Sequence, residues 1–295
     1  MMPLLGRIAF LLYAAVLTGG FSGVARAALA QPIICLFSDY SWDDPYGAQL
    51  KGAIVSIAPR VQILDLIHSA APFNVVEGAY LLDQSAEAFP AGAIFVAVVD
   101  PQVGTEHDPI LLETAKGKFY LGYDNGLFTS VINREGFTGA WKLDRPEFFR
   151  DGDGSPTFRG RDIFGPVAAH LALGTDPDKM GTPLKSISML PARDSILSGE
   201  TISAEVQHID RLGNMILNIH ENGDVSGKLK EGNLVKIQVG RESFSGPLVK
   251  SNTDVGKGRL LLLFNSGGLL EVSVNQGSAA KMLKVEPGTV IFLKP

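Results

Sequence analysis

Several clusters of acidic, amide and basic residues carry the groups that could do chemistry, and most of them follow an apolar run. The clearest is AVVDPQVGTEH, residues 97–107. The run from Ala93 to Val99 is bounded by turn signals and reads as a fully buried strand. It ends on Asp100, after which Pro101 and Gly104 force a tight turn carrying Thr105, Glu106 and His107. Ligands bind at the carboxyl ends of strands in open α/β sheets, so Asp100 is either a loop cap or a group aimed at a ligand. Asp39 repeats the arrangement after the apolar stretch 33–37, where a carboxylate can accept two hydrogen bonds from a ribose diol. Asp43 and Asp44 suit the acidic start of a helix or a ligand contact equally. Asp124 and Asn125 precede Gly126 in a strong turn signal, where turn chemistry competes with binding. The loop GDGSPTFRGRDIFGP, residues 152–166, adds Phe158, Arg159, Arg161 and Asp162, with Arg161 and Asp162 reading as a structural ion pair. In the second half, Asp210-Arg211-Leu212-Gly213-Asn214 and Asn265-Ser266-Gly267-Gly268 stand out, and residues 276–281 can open a short helix offering backbone groups to a ligand.

The elements that must hold these groups follow from periodicity and punctuation. Residues 33–37, 61–68 and 93–99 read as strands, separated by helices over 47–57 and 74–89. Asn74 is positioned to cap the second helix, and Pro90-Ala91-Gly92 stops it. Residues 110–114 and 118–122 form a hairpin, and 166–173 a further helix. Alternating strands and helices predict an α/β N-terminal domain with a mostly parallel sheet. A proline-punctuated stretch over 175–198 reads as a linker. Strands are then predicted at 200–210, 215–219, 233–239, 246–250, 259–264, 269–274 and 289–293, a smaller all-β, barrel-like C-terminal domain. The expected organisation is a leader over 1–30, the α/β domain over 31–190 and the barrel over 191–295.

Composition narrows the function classes. The 295-residue chain has a net charge of −5 and no basic run, which argues against a nucleic-acid partner. MMPLLGR, a short apolar core and small-x-small cleavage sites after Ala27 or Ala30 form a signal-peptide pattern, predicting an exported protein, periplasmic or secreted, with no membrane association once the leader is cleaved. The single cysteine, Cys35, permits no intrachain disulfide and reads as a buried thiol in the first strand. Five scattered histidines and one cysteine make no cluster of ligand spacing, so no metal site is expected.

Taken in order, the clusters resemble a known family. SDYSWDDPYGAQLKG is similar to TDFGxxDxYVGxMKG, VVDPQVGTEH to VVDPGVGSxR, YDNG to PDNG, TFRGRDIFGP to TFHGRDIFAP, DRLGNMILNI to DxFGNxxTNI, and SGGLLEVSVNQGSAA to SxGxLEIAVNxGNAA. Each motif alone is weak, whereas the ordered set is highly specific. It marks the S-adenosylmethionine hydroxide adenosyltransferases, related to the S-adenosylmethionine-dependent fluorinase and chlorinase.

The resemblance implies a homotrimer with active sites between subunits, no cofactor, and S-adenosyl-L-methionine as a substrate that water or hydroxide converts to adenosine and L-methionine. It implies that Asp100 belongs to a catalytic Asp, Arg and His group, that Asp39 chelates the ribose hydroxyls and that Asp210 receives the methionine ammonium. Asn214 and the backbone near Ala279 would read the adenine, Ser266 would hold the carboxylate, and Asp124 and Asn125 belong to the binding motif. The chain departs from the pattern where it matters most. His107 stands at the family's Arg, and Arg159 at the family's His. A transposed triad of Asp100, His107 and Arg159 is one expectation; a non-catalytic envelope protein that binds adenosine or S-adenosylmethionine is the other. Gln102 replaces a glycine in the same turn. A halide-transferring relative fits less well, because Phe89 to Gly92 lead directly into the strand and Arg159 is bulky.

Overall fold

The computed structural model describes residues 32–101, 107–152 and 155–295. The leader expected over 1–30 and Gln102, Thr105 and Glu106 lie outside the described residues. Among the described residues, no helix is long and apolar enough to cross a membrane.

The N-terminal half runs β1 (Ile33–Ser38), α1 (Tyr46–Ile57), β2 (Gln62–Ile67), α2 (Val75–Ala86), β3 (Ile94–Val98), β4 (Pro109–Thr114), β5 (Phe119–Tyr123), α3 (Thr129–Glu135), β6 (Phe137–Lys142), α4 (Gly165–Ala172), α5 (Pro177–Met180) and β7 (Thr182–Pro183). One seven-stranded sheet has the order β2-β1-β3-β5-β4-β6-β7. The apolar runs Ile33–Phe37 of β1 and Ile94–Val98 of β3 suit strands covered on both faces, and alternate residues divide between two cores. Ile34 and Leu36 face Leu50, Ile54 and Val167 of α1 and α4. Cys35 and Phe37 face the opposite core, with Leu82 of α2 and Val131 of α3. Burial pushes the Cys35 thiol up to about 12, as expected of a structural cysteine. Asn74 caps α2, its side-chain oxygen accepting the Glu77 N–H at 3.1 Å.

The expected mostly parallel sheet is corrected to a mixed one. β1 pairs in parallel with β2 and β3, and β3 with β5, but β4 runs antiparallel to β5 and β6, and β6 to β7. The cause is the tight 115–118 connection: a turn that short can only return the chain antiparallel, and β6 and β7 then extend that half.

The C-terminal half comprises β8 (Ile196–Ser198), β9 (Thr201–Ile209), β10 (Met215–His220), β11 (Leu234–Val239), β12 (Glu242–Pro247), β13 (Leu260–Phe264), β14 (Leu269–Val274), α6 (Ala279–Leu283) and β15 (Val290–Lys294). The order β12-β11-β15-β9-β10-β14-β13 is antiparallel throughout, with β8 beside β9. Its two ends meet: Val249 N–H donates to the Leu262 carbonyl at 2.9 Å, and a Cβ on Gly246 would lie 2.9 Å from the Leu260 carbonyl oxygen. The result is a nearly closed barrel around Ile202, Val206, Leu217, Ile237, Val272 and Ile291. The strand expected at 246–250 begins earlier, at Glu242, because its residues pair with β11 from Val239 onward. Ser188 and Leu190 of the expected linker are pinned to the first domain, donating to Asp124 at 2.6 Å and Thr129 at 2.8 Å. His208 on β9 meets Glu77 on α2 at 2.6 Å.

Candidate active site

β1, β3 and β5 run in the same direction, so their carboxyl ends bring Asp39, Asp100 and Tyr123 to one sheet edge. The loop before α4 brings Phe158, Arg159 and Arg161 to face them across a cleft of about 630 Å³. That volume is in the range of small-molecule sites.

Each carboxylate has a defined neighbour. Asp39 Oδ2 accepts the Phe73 N–H at 3.1 Å, and Phe73 holds a left-handed φ of 64° to present it. Burial raises the Asp39 carboxyl above its ordinary value; the Phe73 N–H opposes this and the charge of Asp100 adds to it. Asp100 is 4% exposed, and His107 Nδ1 lies 3.4 Å from its Oδ1. Arg159 donates to the His107 main-chain carbonyl at 3.0 Å, and its guanidinium lies 5.7 Å from the centre of the Tyr123 ring. Burial pushes the Tyr123 hydroxyl up to about 12, Arg159 lowering it and Asp100 raising it, so it stays protonated at neutral pH.

Asp100 and His107 of one segment and Arg159, 52 positions beyond His107, are therefore gathered at one place. Asp100 and Arg159 line the cleft, whereas His107 lies beside Asp100 and does not line it.

An aromatic cluster closes one side. Tyr40, Tyr46 and Phe158 stand with ring centres 5.3–5.7 Å apart. The chain after Arg159 makes a wide turn over Gly160–Phe164 with π-type hydrogen bonding before α4. Gly160 is required there, since a Cβ would lie 2.4 Å from the Tyr40 hydroxyl. Arg161 and Asp162 form the expected ion pair through two bonds of 2.6 and 2.8 Å, and Asp162 also accepts the Ser155 N–H at 2.8 Å. Burial would raise the Asp162 carboxyl, but these bonds hold it below its ordinary value. Asp44 lines the cleft.

The other expected residues lie elsewhere. Asp124 accepts the Ser188 N–H at 2.6 Å; Asn125 donates to the Val99 carbonyl at 2.9 Å and accepts the Leu127 N–H at 3.2 Å. Both act on backbone, and neither lines the cleft. Asp210, Asn214 and Ala279 gather on the barrel, near the end of β14. Asp210 accepts from Leu212 N–H and Asn214 N–H at 2.9 Å and from the Asn214 side chain at 2.8 Å. Their loop lies against the start of α6, where Ala280 N–H donates to the Gly213 carbonyl at 3.0 Å. Ser266 occupies the turn before β14, where Gly267 abuts Gln84 of α2. None of these four borders the cleft of the same chain. Among the described residues, no group of three or more His, Cys, Asp and Glu could hold a metal ion.

Sequence reasoning passed over Tyr123, Tyr46 and Phe73. The strand-end rule that selected Asp100 applies equally to Tyr123, at the end of β5. For Phe73 no signal exists, because its contribution is a backbone N–H.

Residues 34–181 match the SAM hydroxide adenosyltransferase N-terminal domain, and residues 204–292 the corresponding C-terminal domain. The chain is 34% identical to an (R)-S-adenosyl-L-methionine hydrolase of Thermus thermophilus, over 88% of this chain and 98% of that one. It is 33% identical to an enzyme of the same name from Methanocaldococcus jannaschii, over 86% and 92%. A solved structure of a conserved protein from Thermotoga maritima superposes with a TM-score of 0.85 at 32% identity, covering 89% of this chain and all of that one. With both domains matched in order, and with hydrolases at this similarity over most of its length, the chain belongs to the SAM hydroxide adenosyltransferase family.

Proposed function

We propose that the protein hydrolyses S-adenosyl-L-methionine to adenosine and L-methionine. The observation that carries the reading is the convergence of Asp100, His107 and Arg159 beside a cleft that also holds Asp39. The substrate is a sulfonium cation whose leaving group departs as a neutral thioether, so departure needs no acid. The nucleophile is the difficulty: a water must be held in line with the carbon–sulfur bond and must lose a proton. Asp100 holds that water and takes its proton as the oxygen bonds the 5′ carbon and the carbon–sulfur electron pair passes to sulfur. His107, its Nδ1 3.4 Å from Asp100 Oδ1, shares the proton, which then leaves to solvent. Arg159 anchors the His107 segment through its carbonyl and balances the carboxylate charge. The exchange of Arg and His relative to the family is thus read as a transposed triad. Asp39 chelates the ribose diol, and no cofactor takes part.

The remaining binding groups come from a neighbouring subunit. The position of Asp210, Asn214, Ser266 and Ala279 away from the cleft of their own chain supports a homotrimer with sites between subunits. Asp210 has used three acceptor positions within its loop, and a carboxylate offers about four, so one remains for the methionine ammonium. Asp124 and Asn125 serve the site by fixing the turn after β5 and the end of β3. We assign the α/β domain to 31–190, the barrel to 191–295, and the mature protein to the periplasm or the medium, with residues 1–30 as the leader.

The test is product analysis. Wild type incubated with S-adenosylmethionine is expected to release adenosine and methionine in equal amounts, and Asp100→Ala to lower kcat by about 10³-fold. Bound but unchanged S-adenosylmethionine would instead establish a non-catalytic binding protein.

A further inference from the structure

Beneath the cleft, between β1, β2 and α1, lies a chain of polar side chains that the proposed reaction does not use. Ser38 and His68 are only 1% and 3% exposed. Ser38 Oγ lies 2.7 Å from His68 Nδ1, His68 Nε2 lies 2.8 Å from Asp65 Oδ1, and Lys51 Nζ donates to Asp65 Oδ2 at 2.5 Å.

The directions of these bonds follow from chemistry. Asp65 faces both Lys51 and His68 and accepts as a carboxylate, so His68 donates from Nε2. Its Nδ1 then accepts from the Ser38 hydroxyl, and the hydroxyl oxygen accepts the Tyr40 N–H at 3.3 Å. Although the order Ser, His, Asp resembles a hydrolytic relay, Ser38 is sealed from the cleft and its hydroxyl proton points at the ring.

What the chain grips is backbone. The Ser41 N–H donates to the His68 carbonyl at 2.7 Å, and Ser41 holds a left-handed φ of 68° to do so. Ser38 and Ser41 are thus both bonded to His68, one through the ring and one through the main chain. The residues between them are Asp39 and Tyr40. We propose that His68 is the positioning residue that presents Asp39 to the ribose diol, with Ser38, Asp65 and Lys51 fixing its ring. The inference rests on the reading of Asp39 as the diol-binding carboxylate. A carboxylate that must accept two parallel hydrogen bonds tolerates little rotation, which gives so rigid a support a purpose.

The experiment measures, for the full chain, dissociation constants of adenosine and 2′-deoxyadenosine together with kcat and KM for S-adenosylmethionine. Wild type is expected to prefer adenosine by about ten-fold, the worth of one hydrogen bond to a charged group. In His68→Ala the preference should fall towards unity and KM should rise, while kcat at saturation changes less than about three-fold. Should thermal unfolding show that His68→Ala does not fold, Ser38→Ala, which deletes only the hydroxyl, should lower the preference by about three-fold. An Asp39→Asn variant separates the two readings. If Asp39→Asn abolishes the preference while the folded variant at His68 or Ser38 retains it in full, the positioning role is overturned. If Asp39→Asn retains it, the diol reading itself falls, and the role of His68 with it.

Discussion

The cleft of the N-terminal domain and the polar face of the C-terminal barrel are both built from carboxylates and amides, yet they use them in opposite ways. In the cleft, carboxylates sit at the ends of parallel strands, where the pleat aims them outward and the next element starts elsewhere. Asp39 is held by a backbone N–H from another segment, and burial raises its pKa. On the barrel, Asp210 sits in a hairpin turn and accepts three bonds from its own loop. Strand ends leave charge poised towards a ligand; hairpin turns consume most of it locally. The proposed division of labour, bond-breaking in the first region and fixed recognition in the second, follows that difference.

The strongest way to break that comparison is to undo the exchange of Arg and His in the cleft. His107→Arg alone and Arg159→His alone are each expected to lower kcat by about 10²-fold, and the double variant to recover to within about ten-fold of wild type. Additive losses in steady-state kinetics would show that the two residues do not act as a unit.

Mixing two defective proteins sharpens it next. Asp100→Ala lacks the chemistry and Asp210→Ala the recognition, so subunits co-refolded in equal amounts should regain about a quarter of wild-type activity if each site draws on two chains. No regain in the assayed mixture would put both regions of a site in one chain.

The smallest effect concerns stability, not turnover. Asp162 is buried and its carboxyl is held below the ordinary value, so the native state favours its ionised form. Its contribution is complete above the ordinary carboxylate pKa of about 4 and is lost as pH falls through the lowered value. Asp162→Asn should therefore cost about 1–3 kcal/mol at neutral pH and lose less stability than wild type as pH falls below about 4, measured by urea unfolding across pH.

Much of this arrangement was legible in the sequence, for reasons that differ by element. β1, β3 and α2 carry strong local signals: unbroken apolar runs, and Asn74 at the helix start. The ordered motifs selected Asp39, Asp100 and Arg159, which the fold brings to one cleft. The antiparallel half of the sheet was less legible. α3 has no side-chain cap, β7 is two residues long, and β6 is placed by its pairing with β4 more than by its own pattern. Least legible were contributions that no side-chain pattern encodes. The Phe73 N–H serves Asp39 across 34 positions, and His68 reaches Ser38 across 30. Asp124 and Asn125 show the converse, since a turn motif announces them and backbone groups, of Ser188, Val99 and Leu127, occupy them.

The contact of Tyr40 with Gly160 has a consequence for how such a site can diversify. The Tyr40 hydroxyl touches the opposite wall at a point where not even a methyl group fits. The span of the cleft is thereby gauged by the length of one phenol, like a spacer between two plates, and not by the length of the loop leading to Arg159. Insertions in that loop would change what hangs over the opening while the distance between the plates stayed constant. A shorter side chain at position 40, or a bulkier one at 160, would reset it at a stroke.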